Sequence, residues 1–417
     1  MEPRTREYLR GRFGDHYRRQ ARRTREGDGD AEGDAELGDE DANAPLRGPP
    51  AGNEREWGYI PFSEGGTTMV RHQSLLDLTG GGGVGEFLAR ERPRHVYFSA
   101  GRYDHPGADS MGQKGWRGAD LVFDIDADHL PGVDEEADPY GEMLAAGKEA
   151  LVALLDFLVD DFGFEDLTVV FSGGRGYHVH VRDEGVLELS REERREVVDY
   201  VRGLGIEFDD LVRTESVAGI GRKTPADKRT LSVAGGWSRR VHRHVMALVE
   251  ELDGLDEDDG IARLREFDGV GEGKARAALN AVRSNREAVE RGNIDVHSAV
   301  YSVSKHLLEE TRAADAAPID EPVTTDVNRL IRLPGSLHGG TGLVVTRIPL
   351  DGVDAFDPLT DAVADTFREN RIMVDVADPF EVRLAGERFN VDAGLHSVPE
   401  HVGVFAMARG NAEKGRE

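Results

Sequence analysis

The residues best equipped for chemistry are the carboxylates in the stretch Leu121–Asp128, LVFDIDAD. Leu121, Val122, Phe123 and Ile125 are the material of a buried strand. Side chains two apart on a strand share a face, so Asp124 and Asp126 project from the same side. Two adjacent carboxylates repel unless something positive lies between them. A divalent metal with oxygen ligands is the simplest answer. The bland alternative is a strand end that meets solvent. The apolar run favours the metal, because carboxylates inside it need a compensating charge. A third carboxylate would complete a site for one or two ions.

A second stretch, Ser172 to His178, reads SGGRGYH. Its glycines lie between two apolar runs and allow a tight turn with exposed backbone amides, a nest that can hold phosphate. Arg175 would add a planar donor pair matched to phosphate oxygens, and His178 a further donor. The pattern is neither a P-loop nor a dinucleotide fingerprint, because no helix and no Lys-Ser/Thr pair follows. An ordinary glycine-rich hairpin is the alternative. A third group joins Asp320 to Arg332, Ser336 and His338, the last three set around a Pro-Gly turn. Arg55, Arg71 and His72 offer more basic groups.

Carboxylates for metal, with glycine turns, arginines and histidines for polyphosphate, are the equipment of two-metal phosphoryl or nucleotidyl transfer. The set does not by itself separate a polymerase from a nuclease or a cyclase. No Ser-His-Asp or HExxH pattern competes with it.

The elements that must position these groups follow from the periodicity. Residues 1–23 form an arginine-rich helix with Tyr8, Leu9, Phe13 and Tyr17 as its apolar stripe. Residues 25–53, rich in Gly, Asp, Glu and Pro, read as a mobile surface insertion. Two strands near 55–60 and 69–72 are joined by a Gly65–Gly66 turn, followed by a short helix and a helical turn within 74–90 and a strand at 95–99. A helix over 141–161 separates the acidic strand from the strand 167–171, and 179–181 resumes a strand. Residues 188–314 are mostly helical in composition, with a basic segment at Arg222, Lys223, Lys228 and Arg229. A strong strand is expected over 343–348, a hairpin from 372–383 and 386–391, and a short apolar helix near 400–408. The fold class is α/β in the broad sense (α+β). Residues 1–187 and 315–400 form the core, 188–314 a helical subdomain and 401–417 a charged tail.

Bulk composition restricts the setting. The 417-residue chain has no cysteine, which excludes disulfides, thiolate zinc sites and its own iron–sulfur cluster. No run of eighteen apolar residues and no signal-peptide core is present, so the expected location is cytoplasmic, away from membranes. Net charge is -28, with 80 acidic residues against 52 Lys plus Arg, of which only seven are lysine. Acidity argues against a nucleic-acid partner unless the chain lives in molar salt, where the Debye length is about 3 Å and long-range fields vanish. Phosphate must then be recognised by short-range contact.

Four segments together resemble the catalytic small subunit of archaeal and eukaryotic DNA primases, in its haloarchaeal form. They are VFDID at 122–126, SGGRGYHVHV at 172–181, DEPVTTDVNRLIRLPGSLHGGTG at 320–342, and REWGYIPF with MVRHQS near the start. The resemblance implies a primase catalytic core of mixed β-sheets flanked by helices, with a helical insertion. It implies that Asp124, Asp126 and Asp320 are the catalytic metal ligands for Mg²⁺ or Mn²⁺. It assigns Ser172, Arg175, His178, Arg332 and His338 to the incoming nucleotide, and Arg55 and Arg71 to nucleotide or template contact. It further implies short RNA primers on single-stranded DNA, use of ribo- and deoxynucleoside triphosphates, and a large subunit carrying an iron–sulfur cluster as heterodimer partner. Relatives carry a zinc knuckle after the acidic strand; here 129–148 keeps His129 but no cysteine, so structural zinc is not expected. The rival readings are a stand-alone repair primase-polymerase and a non-catalytic nucleic-acid-binding subunit.

Overall fold

Leu9, Phe13 and Tyr17 recur every fourth residue, and a helix forms over Pro3–Gly27 that buries all three. A computed structural model describes residues 1–27, 46–63, 68–135, 137–217 and 226–416. Most of the expected insertion at 25–53, the Gly65–Gly66 turn, and Arg222 and Lys223 lie outside the described residues. Leu46, inside the expected insertion, is buried. The chain divides into two compact units, one of Met1–Val152, Phe164–Arg195 and Ile319–Glu417, the other of Ala153–Gly163 and Glu196–Pro318.

The strands are, in chain order, β1 (Arg55–Ile60), β2 (Val70–Gln73), β3 (His95–Tyr103), β4 (Trp116–Ala119), β5 (Leu121–Asp126), β6 (Leu167–Phe171) and β7 (Gly176–Val181). Then come β8 (Val212–Val217), β9 (Ala226–Leu231), β10 (Leu330–Arg332), β11 (Thr346–Ile348), β12 (Arg371–Val376), β13 (Phe380–Leu384), β14 (Glu387–Val391), β15 (Gly394–Pro399) and β16 (Ala412–Lys414). In the first unit one sheet runs β10-β3-β1-β2, with β4 also on β3, and a second runs β11-β6-β7-β5. Every strand pair among the described residues is antiparallel, so these sheets are not mixed. The tight β6–β7 turn reverses the chain and makes neighbours run oppositely.

The alternation in β5 decides what faces what. Leu121, Phe123 and Ile125 are fully buried on one face. On the other, Val122 packs with Ala100 of β3, Ile331 of β10 and Val323. Asp124 and Asp126 share the Val122 face, so the acid pair points into the cleft between the two sheets.

The C-terminal region departs from expectation. β13 and β14 do form a hairpin, but residues 371–376 belong to a separate sheet, β15-β12-β16. Residues 401–417 are not a charged tail: Val402, Val404, Phe405 and Met407 of the helix Glu400–Arg409 are buried, and β16 pairs with β12. The strand expected over 343–348 is ladder-paired only at Thr346–Ile348, because Val344 and Val345 pair with Ala362 and Ser336 instead.

The second unit holds a helical core built on Val241, Val245, Leu248, Leu279, Val303 and Leu307. Expected as mostly helical, it also contains the β8–β9 hairpin. Lys228 and Arg229 lie in β9, ADKRTL, whose unbroken polar run from Asp227 to Thr230 has no apolar period to mark a strand. Among the described residues no helix is long and apolar enough to cross a membrane.

Candidate active site

The site begins with the β5–β7 register, which sets Asp124 opposite His178 and Asp126 opposite Gly176. His178 Nε2 lies 3.1 Å from Asp124 Oδ1. Burial would raise the Asp124 carboxyl, but His178, Arg329 and Arg332 outweigh it and hold the group below its ordinary value. Asp126 goes the other way. Burial, a hydrogen bond with Asp128, and the charges of Asp128 and Asp124 push it up to about 7. Asp128 is held low, its burial outweighed by that hydrogen bond and by Arg175. The two carboxyls are thus pushed in opposite directions by their mutual crowding, Asp126 up and Asp128 down.

Asp320 enters from the other end of the unit's sequence. Its backbone N–H donates to the Asp124 carbonyl at 2.9 Å, at the start of the helix Glu321–Thr325. Its carboxyl is raised by burial and by Asp124. Oxygen and imidazole donors of Asp126, Asp128 and His129 all lie within 4.8 Å of one another, a grouping suited to a metal ion. Asp124 and Asp320 lie outside that grouping but belong to the same field of crowded carboxylates. Carboxyls raised by burial and by one another, as Asp126 and Asp320 are, mark a place where a cation would relieve the repulsion.

The phosphate side is built from two turns. Between β6 and β7 the Ser172 hydroxyl accepts from the Gly174 and Gly176 amides, at 3.3 and 3.2 Å. Gly176 is required there, since a Cβ would fall 2.0 Å from the Ile125 carbonyl oxygen. Gly173, at φ 74°, leaves room for His338 of the second turn. Thr341 ties the two turns together by donating to the Gly173 carbonyl, and Tyr140 donates to the Gly174 carbonyl. His338 stands edge-on to His95, with centroids 4.9 Å apart. Burial and the charges of Arg332, His95, Arg94 and Arg175 drive its pKa well below the ordinary value, so the ring is neutral. Several arginines acting on one neutral ring mark an anion-seeking pocket.

Arg175 lies 2.7 Å from Asp128 and also pairs with Glu135, so it stands between the acids and the glycine turn. Arg332, over the Tyr97 ring at 5.7 Å, has a buried Nε with no hydrogen-bond partner, as does His178 at Nδ1. A cavity of about 640 Å³ opens between the sheets, lined by Asp124, His178, Arg329 and Arg332 and extending to Arg71 and Lys114. Of the expected site residues, Asp124, His178 and Arg332 line this cavity, with Arg71 further along it. Asp126 neighbours Asp124 on β5, Asp320 bonds to the Asp124 backbone, Arg175 pairs with Asp128, and Ser172 and His338 lie in the two joined turns. Arg55 joins none of these. It is buried, 2.8 Å from Asp120, and donates to the carbonyls of Ser99, Ala100 and Pro50. Sequence reasoning passed over Asp128 as the partner of Asp126, and Arg94 and Arg329 as sources of field.

The family of DNA primase small subunits matches residues 123–350. The DNA primase small subunit PriS of Haloarcula marismortui is 62% identical, over all of both chains. PriS of Natronomonas pharaonis is 60% identical, also over all of both chains, and PriS of Methanocella arvoryzae 38% over 99% of each. The chain belongs to the DNA primase small-subunit family. The likeness drawn from four motifs therefore extends over the whole length, and haloarchaeal members are among the relatives. Asp124, Asp126, Ser172, Arg175, His178, Asp320, Arg332 and His338 lie within the part matched by the family, while Arg55 and Arg71 stand before it.

Proposed function

We propose that this chain is the catalytic small subunit of a DNA primase, joining nucleotides into short RNA primers on a single-stranded DNA template. Full-length identity to primase small subunits favours this over a stand-alone repair enzyme or a non-catalytic binding subunit. The observation that supports the chemistry is a cavity where Asp124 and His178, 3.1 Å apart, meet Arg329 and Arg332, with Asp320 bonded through its backbone to Asp124 and with Asp126 and Asp128 beside Arg175.

Asp124, Asp126 and Asp320 would hold Mg²⁺ or Mn²⁺, which supplies charge neutralisation at the attacking hydroxyl and the triphosphate. Arg175 and Arg332 donate to phosphate oxygens, a task for which planar guanidinium is suited. Gly340 N–H points at His338 Nδ1 at 3.3 Å, which leaves Nε2 as the protonated donor toward phosphate. The Ser172 hydroxyl takes up the Gly174 and Gly176 amides and so fixes the turn that carries Arg175. His178 orients the Asp124 carboxylate. Ribo- and deoxynucleoside triphosphates both fit this description. The partner is a large subunit, and an iron–sulfur cluster would be its own, since this chain has no cysteine.

Template-dependent primer synthesis with labelled nucleotide tests the reading. Asp124→Asn should abolish it with the fold intact, the melting temperature falling modestly as the pairing with His178 is lost. Primer synthesis at the wild-type rate by that variant overturns the assignment.

A further inference from the structure

The longest helix of the first unit, Pro3–Gly27, carries nine arginines against three acidic residues, in a chain of net charge -28. Its buried face already has a task. His16 Nε2 donates to the Gly335 carbonyl at 3.2 Å and the Leu337 amide donates to the Tyr17 hydroxyl at 3.3 Å, so the helix holds the turn that bears His338. Several arginines are also spent on structure. Arg12 grips the buried Glu400 at 2.6 and 2.8 Å, and Arg23 lies 3.7 Å from Asp365.

Four arginines of the helix, Arg4, Arg10, Arg18 and Arg22, are exposed. Arg4, Arg18 and Arg22 fall at i, i+14 and i+18, on one stripe of the helix, and Arg4 and Arg18, the latter paired with Asp15, line a groove. Gly11, midway on that stripe, has nothing within 4 Å of where its Cβ would be, so the stripe is open there. Lys414, at the end of β16, and Arg416 just beyond it flank the same groove, whose volume is about 660 Å³. Tyr8 contributes an aromatic ring, with Lys414 Nζ 5.4 Å from its centroid. Glu7 and Asp15 are the acids in the lining, and Asp15 is already 2.5 Å from both Arg12 and Arg18.

We propose that this groove binds the sugar–phosphate backbone of the single-stranded DNA template, away from the catalytic cleft. The identity of the occupant rests on the function proposed above; the charge pattern does not. Arg4 and Arg18 are about 21 Å apart along the helix axis, at 1.5 Å per residue. That matches about six stacked nucleotides at 3.4 Å each, fewer if the strand is extended. A surface selected for molar salt is acidic, so a local excess of arginine needs a ligand to explain it. Planar guanidinium, which binds phosphate by short directional bonds, works where screening cancels long-range attraction. The aromatic ring beside the cations is the usual companion for bases of a single strand.

The test is titration of labelled single-stranded oligodeoxythymidylate with the triple variant Arg4→Glu/Arg18→Glu/Arg416→Glu, across the salt range in which the chain stays folded. Binding should weaken by about tenfold or more, and the log–log salt slope should shrink by about 2 for three lost phosphate contacts. Nucleotide KM on saturating template should not move. If the variant fails to fold, the Arg→Gln triple replaces it, with the same expected loss. A Kd within twofold of wild type overturns the proposal. So does unchanged DNA binding with loss of large-subunit co-purification, which would make the groove a protein interface. Asp124→Asn separates the two readings: it should bind the oligonucleotide as wild type does, and primer synthesis by it would sink the proposed function without touching the groove.

Discussion

The amide of Asp320 donates to the carbonyl oxygen of Asp124 at 2.9 Å, so the third acid is locked to the first through backbone and not through its side chain. Replacing the side chain leaves that bond intact. The Asp320 carboxyl is raised by burial and by the Asp124 charge, so it is a destabilising presence in the folded chain. Asp320→Asn should therefore leave the melting temperature equal or higher. Primer synthesis should fall at least about 100-fold, since even outer-shell partners of metal ligands commonly cost 10–100-fold. A variant that melts lower yet still makes primers would show the side chain to be structural.

Arg175 is held between Asp128 and the glycine turn. Arg175→Ala should raise nucleotide KM by about tenfold or more, because a charge-assisted bidentate contact is lost. Arg175→Lys should recover only part of the loss, since an ammonium cannot reproduce the planar fork. Steady-state kinetics with varied nucleotide decide it; an unchanged KM removes Arg175 from the site.

The parts of this site that were legible in the sequence are those set by local period. Asp124 and Asp126 share a face because β5 alternates, and His178 meets Asp124 because a short glycine turn fixes the β6–β7 reversal. Asp320 carried no local signal; its motif alone placed it beside the strand. Arg55 was misplaced because the sequence does not tell an arginine that lines a cleft from one buried on Asp120. Arg94 was overlooked because it only precedes an apolar strand, and its role comes from the distant turn at His338. β16 was read as tail because three residues show no period, and only pairing with β12 makes them a strand.

Thr341 bridges the two phosphate-side turns through its bond to the Gly173 carbonyl, and its Oγ1 lies 3.3 Å from His338 Nδ1. Thr341→Val keeps the shape and removes the hydroxyl, leaving a buried carbonyl unpaired. Stability should fall by about 1–3 kcal/mol. Nucleotide KM should rise with little change in kcat, because the turns lose their mutual register while the acids do not move. Thr341→Ser should restore both, measured by thermal melting and by nucleotide titration. A kcat loss at constant KM would contradict the positioning role.

His16 is fully buried, and burial lowers its pKa to about 4, despite the Gly335 carbonyl that accepts from the ring and with Arg23 and Arg19 adding to the fall. In the unfolded chain the ring titrates near its ordinary value of about 6.5. Above that value neither state is protonated, and the full stability is present. As pH falls from about 6.5 toward 4, the unfolded chain takes up a proton that the folded chain refuses, so stability is lost through this window. The size at the acid end is on the order of 3 kcal/mol for this one ring. His95, lowered to about 3, and His180, lowered to about 4, add slopes of the same sign. His16→Gln keeps an amide donor for Gly335 and removes the titration. Denaturant unfolding at about pH 5 and about pH 7, at high salt, should then show a stability difference smaller than wild type by about one proton's worth of slope. An equal difference in the two proteins would mean that His16 protonates alike in both states, and that the contact between the N-terminal helix and the His338 turn is not made through a neutral ring.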